Sequence, residues 1–376
     1  MNKEEFSNQV FNYLHLIALY LNKKVAGDFK IDENSLSFFA NLSKCHSLLA
    51  VLYKAISDTK AVVKEEYLKK LEEFYLANVR KDVLFEKERT ALFEYLNDNQ
   101  IDYLPLKGII IKNYYLDQHS REYADNDVLF LSSKDTLVKE YFVKSGYKVE
   151  LFRKSNHDVY QKKPFFNFEM HRELFGETDD NEKIIAYFNN YLSKAPVKEG
   201  YEHYVSKEDF FIYFTAHSYK HYHVSGCGIR TLIDYYLYLK NNELDFDYIN
   251  QELKKIDLLD FSNQISSLSL KLFDEQELNE QEKEMVLYIA SSGTYGTLAN
   301  SVSKGVKEKG KFRYFMHRVF PPYSFYKSAY PWAYKCVILI PLAWFMRLMR
   351  ILFKNPKKAK RELELISQSK DEKDIK

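Results

Sequence analysis

Leu104 to Val128 reads LPLKGIIIKNYYLDQHSREYADNDV, and Phe166 to Leu174 reads FNFEMHREL. The first stretch has the pattern of a strand (Ile101 to Leu106), a tight turn at Lys107-Gly108 and a short helix (Ile109 to Leu116). It closes on Asp125-Asn126-Asp127, which opens a second strand, Val128 to Leu131. Side chains alternate across a strand, so Asp125 and Asp127 project from one side. In the second stretch Phe166, Phe168 and Met170 share one face, and Asn167, Glu169 and His171 share the other. If the two strands are neighbours, the carboxylates of Asp125, Asp127 and Glu169 converge. Such a cluster repels itself unless a cation sits in it. Hard oxygen ligands favour Mg²⁺ or Mn²⁺.

A strand, a glycine turn, a helix, Asp-x-Asp and a later acidic strand, in that order, resemble the nucleotidyltransferase superfamily with its polymerase-beta-like fold. More narrowly, Leu106-Lys107-Gly108, the Tyr-rich helix, Arg121, Asp125-x-Asp127 and Glu169-x-His171 resemble the bacterial "uncharacterised nucleotidyltransferase" family, over most of the chain. Many superfamily members carry Gly-Ser or Gly-Gly at the turn; Lys-Gly is a trait of the narrower family. The resemblance implies two divalent ions, Mg²⁺ or Mn²⁺, bridged by Asp125 and Asp127, with Glu169 completing one site or serving as base. It implies that Lys107 and the Gly108 amide hold a triphosphate and that His171 orients the acceptor or a carboxylate. The implied reaction passes NMP from an NTP to a hydroxyl or amine acceptor and releases pyrophosphate.

Bulk properties set the frame. The 376 residues suffice for two or three subdomains. Lys and Arg (55) nearly balance Asp and Glu (53), so nothing global draws the chain to nucleic acid, and no stable nucleic-acid binding is expected. Cys45, Cys227 and Cys336 are far apart and form neither a disulfide framework nor a metal spacing, which suits a reducing cytosol. The start, MNKEEFSNQVFNYL, lacks the features of a signal peptide, and a cytoplasmic location is expected. Scarce Gly and Pro favour long helices.

Helical spacing marks Phe6 to Asn22, Ser35 to Ile56 (with Asp32 or Asn34 as cap) and a long charged helix from Glu65 to Asn97. His46 reads as a packed, satisfied side chain. Arg121, four residues before Asp125, contacts phosphate, braces the carboxylates or forms a structural salt bridge. Ser132 to Ser145 reads as a helix. Lys148 to Arg153, Asp158 to Lys162 and Phe165 to Glu173 read as strands, broken at Asn156 and Pro164. Together they imply an α+β protein: a small mixed sheet, covered on one side, embedded in a mostly helical chain. His157-Asp158 falls at a turn, which disfavours the helical metal pair of HD-type phosphohydrolases.

Asn181 to Leu192 reads as a helix, Ala195-Pro196-Val197 as the start of a linker, and Ser206-Lys-Glu-Asp209 as a helix cap. Downstream, His217 and His221 share one helical face beside Lys220, and Arg230 and Asp234 lie on the next helix. Ser218 stands where a zincin needs its general-base Glu. This order also matches the helical part of the narrower family. Two readings stand: these groups line the cleft opposite the carboxylates and hold nucleotide or acceptor, or they form a buried network joining two helices.

Phe246 to Leu278 and Gln281 to Ala290 read as helical, Ser291 to Thr297 as a loop and Gly305 to Lys311 as a basic turn. Phe312 to Tyr330 also resembles the family's C-terminal part. Cys336 to Phe353, CVILIPLAWFMRLMRILF, is the most apolar stretch but is too short and interrupted to span a bilayer. With Arg347, Arg350, Lys354, Lys357 and Lys358 it makes a basic amphipathic end. That end either docks on the protein or contacts a membrane surface or acidic partner. The tail after Glu362 is charged and expected to fray. The expected division is a helical region at 1–97, a nucleotidyltransferase core at 98–200, a helical substrate-side domain at 201–300 and a basic helical region at 301–376. The partners expected are an NTP and a small-molecule, protein or RNA acceptor. Two rivals are a catalytically silent nucleotide- or partner-binding protein on the same fold, and a nucleotidyltransferase toxin acting on RNA.

Overall fold

The computed structural model describes residues 2–368 except 28, 123, 177–180, 295, 296 and 355. Among the described residues seven strands form: β1 (Tyr103–Pro105), β2 (Asn126–Phe130), β3 (Lys148–Leu151), β4 (His157–Lys162), β5 (Phe166–His171), β6 (Val197–Glu199) and β7 (Glu202–His203). They make one mixed sheet in the order β3-β4-β5-β2-β1-β7-β6. The decisive neighbours are β2 and β5, which run parallel and place Asp127 beside Glu169. β4 and β5 are antiparallel, and their register sets His157 opposite His171.

The alternation expected of FNFEMH holds: Phe166, Phe168 and Met170 are buried under the helices Glu65–Asp98 and Asp135–Lys144, where Phe85, Leu92, Val138 and Phe142 join them. Phe142 stacks on Tyr160 with ring centroids 4.2 Å apart. The opposite face is not open along its whole length. Leu104, Leu106 and Leu129 join a larger apolar cluster that also holds the first helix (Lys3–Leu21) and Phe210 to Phe214. Residues from 1–97 and from 201–300 therefore share one core.

The caps follow the sequence. Asp32 accepts from the Ser35 amide at the start of Glu33–His46, and Ser206 accepts from the Asp209 amide at the start of Lys207–Val224. The segments that differ from expectation include the helices expected over Ile109 to Leu116 and Asn181 to Leu192, which are each broken into shorter turns, and two others. The linker after Ala195 instead contains the hairpin β6–β7, which extends the sheet through Tyr103 and Glu202. Its strands are too short to show a period of two, and it turns at Gly200 with φ +57°, where a Cβ would come 2.8 Å from Asn97 Oδ1. Gly305 lies inside the helix Leu298–Lys309, not in a turn: a Cβ there would strike the Tyr314 ring. Chain reversal falls instead at Gly310, φ +77°.

The C-terminal helices close on small cores of their own, Val302 and Val306 with Ile366, and Tyr326 with Ala333 and Ala343. The last described helix, Pro356–Gln368, runs past Glu362, which accepts from Arg318 at 2.5 and 3.0 Å. Burial of Ile366 explains why that turn persists; residues 369–376 of the expected frayed tail, and 295 and 296 of the expected loop, lie outside the described residues. Among the described residues no helix is long and apolar enough to cross a membrane.

Candidate active site

Asp125 ends the loop before β2, Asp127 is the second residue of β2, and Glu169 lies next to Asp127 on β5. Asp127 is held from two sides. Lys107 Nζ donates to its Oδ1 at 2.7 Å, and His171 Nε2 donates to the same oxygen at 2.8 Å. Burial works against the Asp127 charge, but Lys107 and His171 outweigh it and hold the carboxyl well below its usual range. Asp125 and Glu169 behave in the opposite way. Burial, then the Asp127 charge, pushes Asp125 up to about 6. Burial, then Asp127 and Asp125, pushes Glu169 up to about 7. Two carboxyls that resist ionising beside a third that is ionised have the electrostatics of a cation seat.

The turn that carries Lys107 is backbone-strained. Lys107 has φ +43° and ψ −112°, next to the four-residue helix Gly108–Ile111. That conformation is near the first central position of a type II′ turn, which strongly favours glycine. Here a lysine occupies it, and its buried ammonium reaches Asp127. Gly108 follows as the first helical residue.

Further cations surround the trio. Arg121, Arg230 and Lys107 all act to lower the Asp125 pKa, and Lys220 and Lys107 do so for Glu169. Lys81, on the helix Glu65–Asp98, is also electrostatically coupled to Asp125 and lies over the Phe85 and Phe165 rings. Arg121 is itself engaged: its Nε and Nη2 donate to the two oxygens of Asp234 at 2.9 and 2.8 Å, and the Tyr115 hydroxyl adds a third bond at 2.7 Å. Of the roles open to Arg121, the geometry realises the salt bridge, which ties the approach to β2 to the helix Ile229–Asn241. Arg230, on that helix, donates to the Glu122 carbonyl at 2.6 Å.

His217, Lys220 and His221 lie on Lys207–Val224, facing the sheet. The His217 and His221 rings meet edge-on, 4.6 Å apart. Burial, then Lys107, drives the His217 pKa well down, so the ring is neutral. Lys107, Lys220 and His171 all act on His217, which brings this helix to the carboxylate side of the sheet. A cavity of about 540 Å³ opens beside Lys220, lined by Phe175, Ile184, Tyr219, His223 and Asp257.

His157 is the residue that sequence reasoning missed. It lies at the start of β4, not in a turn, and its Nε2 is 3.8 Å from Glu169 Oε2; His171 Nε2 is 3.9 Å from the same atom. One ligand atom from each of His157, Glu169 and His171 lies within 4.8 Å of the others. Burial, then His171, lowers the His157 pKa to about 4, so it is a neutral donor. His171 Nδ1 is buried and has no hydrogen-bond partner among the described residues. The donors therefore fit a divalent ion: carboxylates that gain by its charge, and neutral imidazoles at their edge.

A family model described as "Uncharacterised nucleotidyltransferase" matches residues 32–274. The chain belongs to that family. The matched span takes in every residue of the candidate site, from Lys81 to Asp234. It ends before Phe312 to Tyr330, so the expected likeness of that stretch to the family's C-terminal part lies outside it. No curated protein and no solved structure matches.

Proposed function

We propose that the protein transfers a nucleoside monophosphate from an NTP to a hydroxyl or amine acceptor. The observation that carries this is the parallel pairing of Asp127 with Glu169, next to Asp125, with Lys107 and Lys220 beside them. Asp125, Asp127 and Glu169 would hold two divalent ions, Mg²⁺ or Mn²⁺, which neutralise triphosphate charge and polarise the attacking group when bound. Lys107 and the backbone at Gly108 receive the phosphates, aided by Arg230 and Lys81. Glu169 takes the acceptor proton. A bond forms from the acceptor oxygen or nitrogen to the α-phosphorus, the bridging α–β P–O bond breaks, and pyrophosphate leaves. His171 fixes the Asp127 carboxylate, and His217 and His221 line the facing wall. The cavity beside Lys220 has the size of a small-molecule pocket, and Lys220 is the one candidate-site residue in its lining.

One observation favours the silent-binding reading. Lys107 and His171 already satisfy Asp127, so the fold neutralises that carboxylate by itself. Labelled NTPs incubated with the full chain, Mg²⁺ or Mn²⁺ and candidate acceptors separate the two. Label transfer lost in Asp125→Ala/Asp127→Ala supports catalysis; transfer that survives the double substitution refutes it. Calorimetric NTP binding without turnover over any acceptor favours the silent module.

A further inference from the structure

We propose that the segment from Lys311 to Arg361 is a docking surface for an anionic lipid membrane. The proposal is independent of the nucleotidyl-transfer reading. In sequence the segment carries twelve Lys and Arg and no Asp or Glu, which leaves the rest of the chain with a formal charge of −10. In the structure it also gathers apolar surface. Of the 27 exposed large hydrophobic side chains among the described residues, thirteen lie in this segment, between Phe312 and Phe353. One-seventh of the chain thus holds nearly half of its exposed apolar groups, joined to its most basic sequence.

The helix Ile340–Lys354 shows how the surface is made. Its inner side is used: Ala343 is buried with Tyr326 and Ala333, Trp344 stacks on Phe320 and donates to the Val319 carbonyl, and Arg347 donates to the Arg318 carbonyl. On a helix of 3.6 residues per turn, Leu342, Phe345, Met346, Met349 and Phe353 share the other side. A solvated helix would present polar groups there; these five are 37% to 75% exposed. Val337 and Ile338, the latter 87% exposed, continue the apolar surface just before the helix. Exposed Arg350 and Lys357 accompany it, and Trp332 and Tyr323 supply amphipathic rings of the kind enriched at membrane interfaces.

Charge selects the occupant. A second copy of the chain would cover the apolar stripe but would bring one strongly basic segment against another. A nucleic acid would satisfy the cations and leave the apolar side chains in water. An anionic bilayer surface satisfies both, since apolar side chains enter the acyl boundary while Lys and Arg meet the headgroups. The helix has 15 residues, about 22 Å, shorter than the roughly 30 Å hydrocarbon core, so it lies along the surface and does not span it.

The test is co-sedimentation of the full chain with phosphatidylcholine vesicles, with and without phosphatidylglycerol. Each basic group near an anionic surface strengthens binding about fivefold, so two or more engaged groups make the anionic vesicles preferred by well over tenfold, less so in high salt. Phe345→Ser/Met349→Ser should weaken binding about tenfold or more with an unchanged thermal melt. Ile338→Ser, at a side chain with little to lose in packing, is the second variant if the first melts early. The proposal is overturned if the chain stays in the supernatant with anionic vesicles, or if neither variant changes the partition. It is equally overturned if, without vesicle binding, the stripe instead drives self-association in sedimentation equilibrium or the segment binds a nucleic-acid duplex.

Discussion

Two buried charge clusters flank the start of β2 and follow opposite rules. In the Arg121–Asp234 knot each guanidinium donor meets its own carboxylate oxygen, and Tyr115 takes a remaining lone pair. Burial opposes the Arg121 charge, yet Asp234 outweighs it and raises the pKa. In the Asp125–Asp127–Glu169 trio the partners are concentrated on Asp127, and its two neighbours are forced up to about 6 and about 7. Balanced charge is what a fold needs for its own stability. Charge left out of balance beside a cleft is where a ligand or ion has something to contribute.

Carboxylate removal should therefore act differently in the two places. Asp234→Ala leaves Arg121 buried without its partner and should cost about 3–5 kcal/mol in urea unfolding at neutral pH. Asp125→Asn removes one of two repelling neighbours and should leave the midpoint unchanged or raised. The same substitution should lower label transfer by about a hundredfold or more, the scale on which lost electrostatic stabilisation of a transition state is felt. Equal losses of stability in both variants would erase the contrast.

His46 sharpens the comparison because it is balanced only while neutral. Its Nε2 donates to the Ala290 carbonyl at 2.9 Å, and its Nδ1 accepts the Ile229 amide at 3.0 Å. A proton on Nδ1 breaks the second bond inside a closed core. Burial accordingly lowers its pKa from 6.5 to about 4. Between those values the unfolded chain binds a proton that the folded chain does not, so stability falls as pH drops through the window, by about 3 kcal/mol in all. Between pH 7 and pH 4.5 the raised pKa values of Asp125 and Glu169 act in the opposite direction, so the His46 contribution is read as the difference between the melting curves of the chain and of His46→Asn, which should lose this slope. Parallel curves would assign the acid sensitivity to other groups.

Much of this was legible in the chain. The β5 alternation, the neighbouring carboxylates and the turn before the short helix follow from residue types with a strong period. The role of His157 was legible in principle: β4 and β5 are joined by the short turn at Pro164, and pairing Lys162 with Phe166 fixes His157 opposite His171. The arithmetic of the hairpin carried that signal, and no motif did. β6 and β7 were hidden because strands of three and two residues are too short to have a period to detect. Lys81 carried no mark of its own, since a lysine on a charge-laced helix is read as solvated until tertiary packing sets it over two rings and near Asp125. For Arg121 the sequence left three roles open. Which one it fills depends on Asp234, more than a hundred residues away, and only the packing of Ile229–Asn241 decides it.

Lys107 gives the finest test of the contrast, because it joins strain to function in one residue. Holding a side chain at φ +43° costs roughly 1–3 kcal/mol, and glycine would avoid this at a smaller entropic cost. Lys107→Ala and Lys107→Gly both remove the partner of Asp127, so both should be destabilised and both should lose label transfer. They differ in the turn alone, since Ala keeps the strain and Gly relieves it. The Gly variant should therefore be about 1–2 kcal/mol more stable than the Ala variant while remaining equally inactive. That pairing would mean that the lysine is held in a glycine's conformation for what its ammonium does at Asp127. If Gly is no more stable than Ala, the turn stores no strain, and the argument from backbone geometry to function at this position fails.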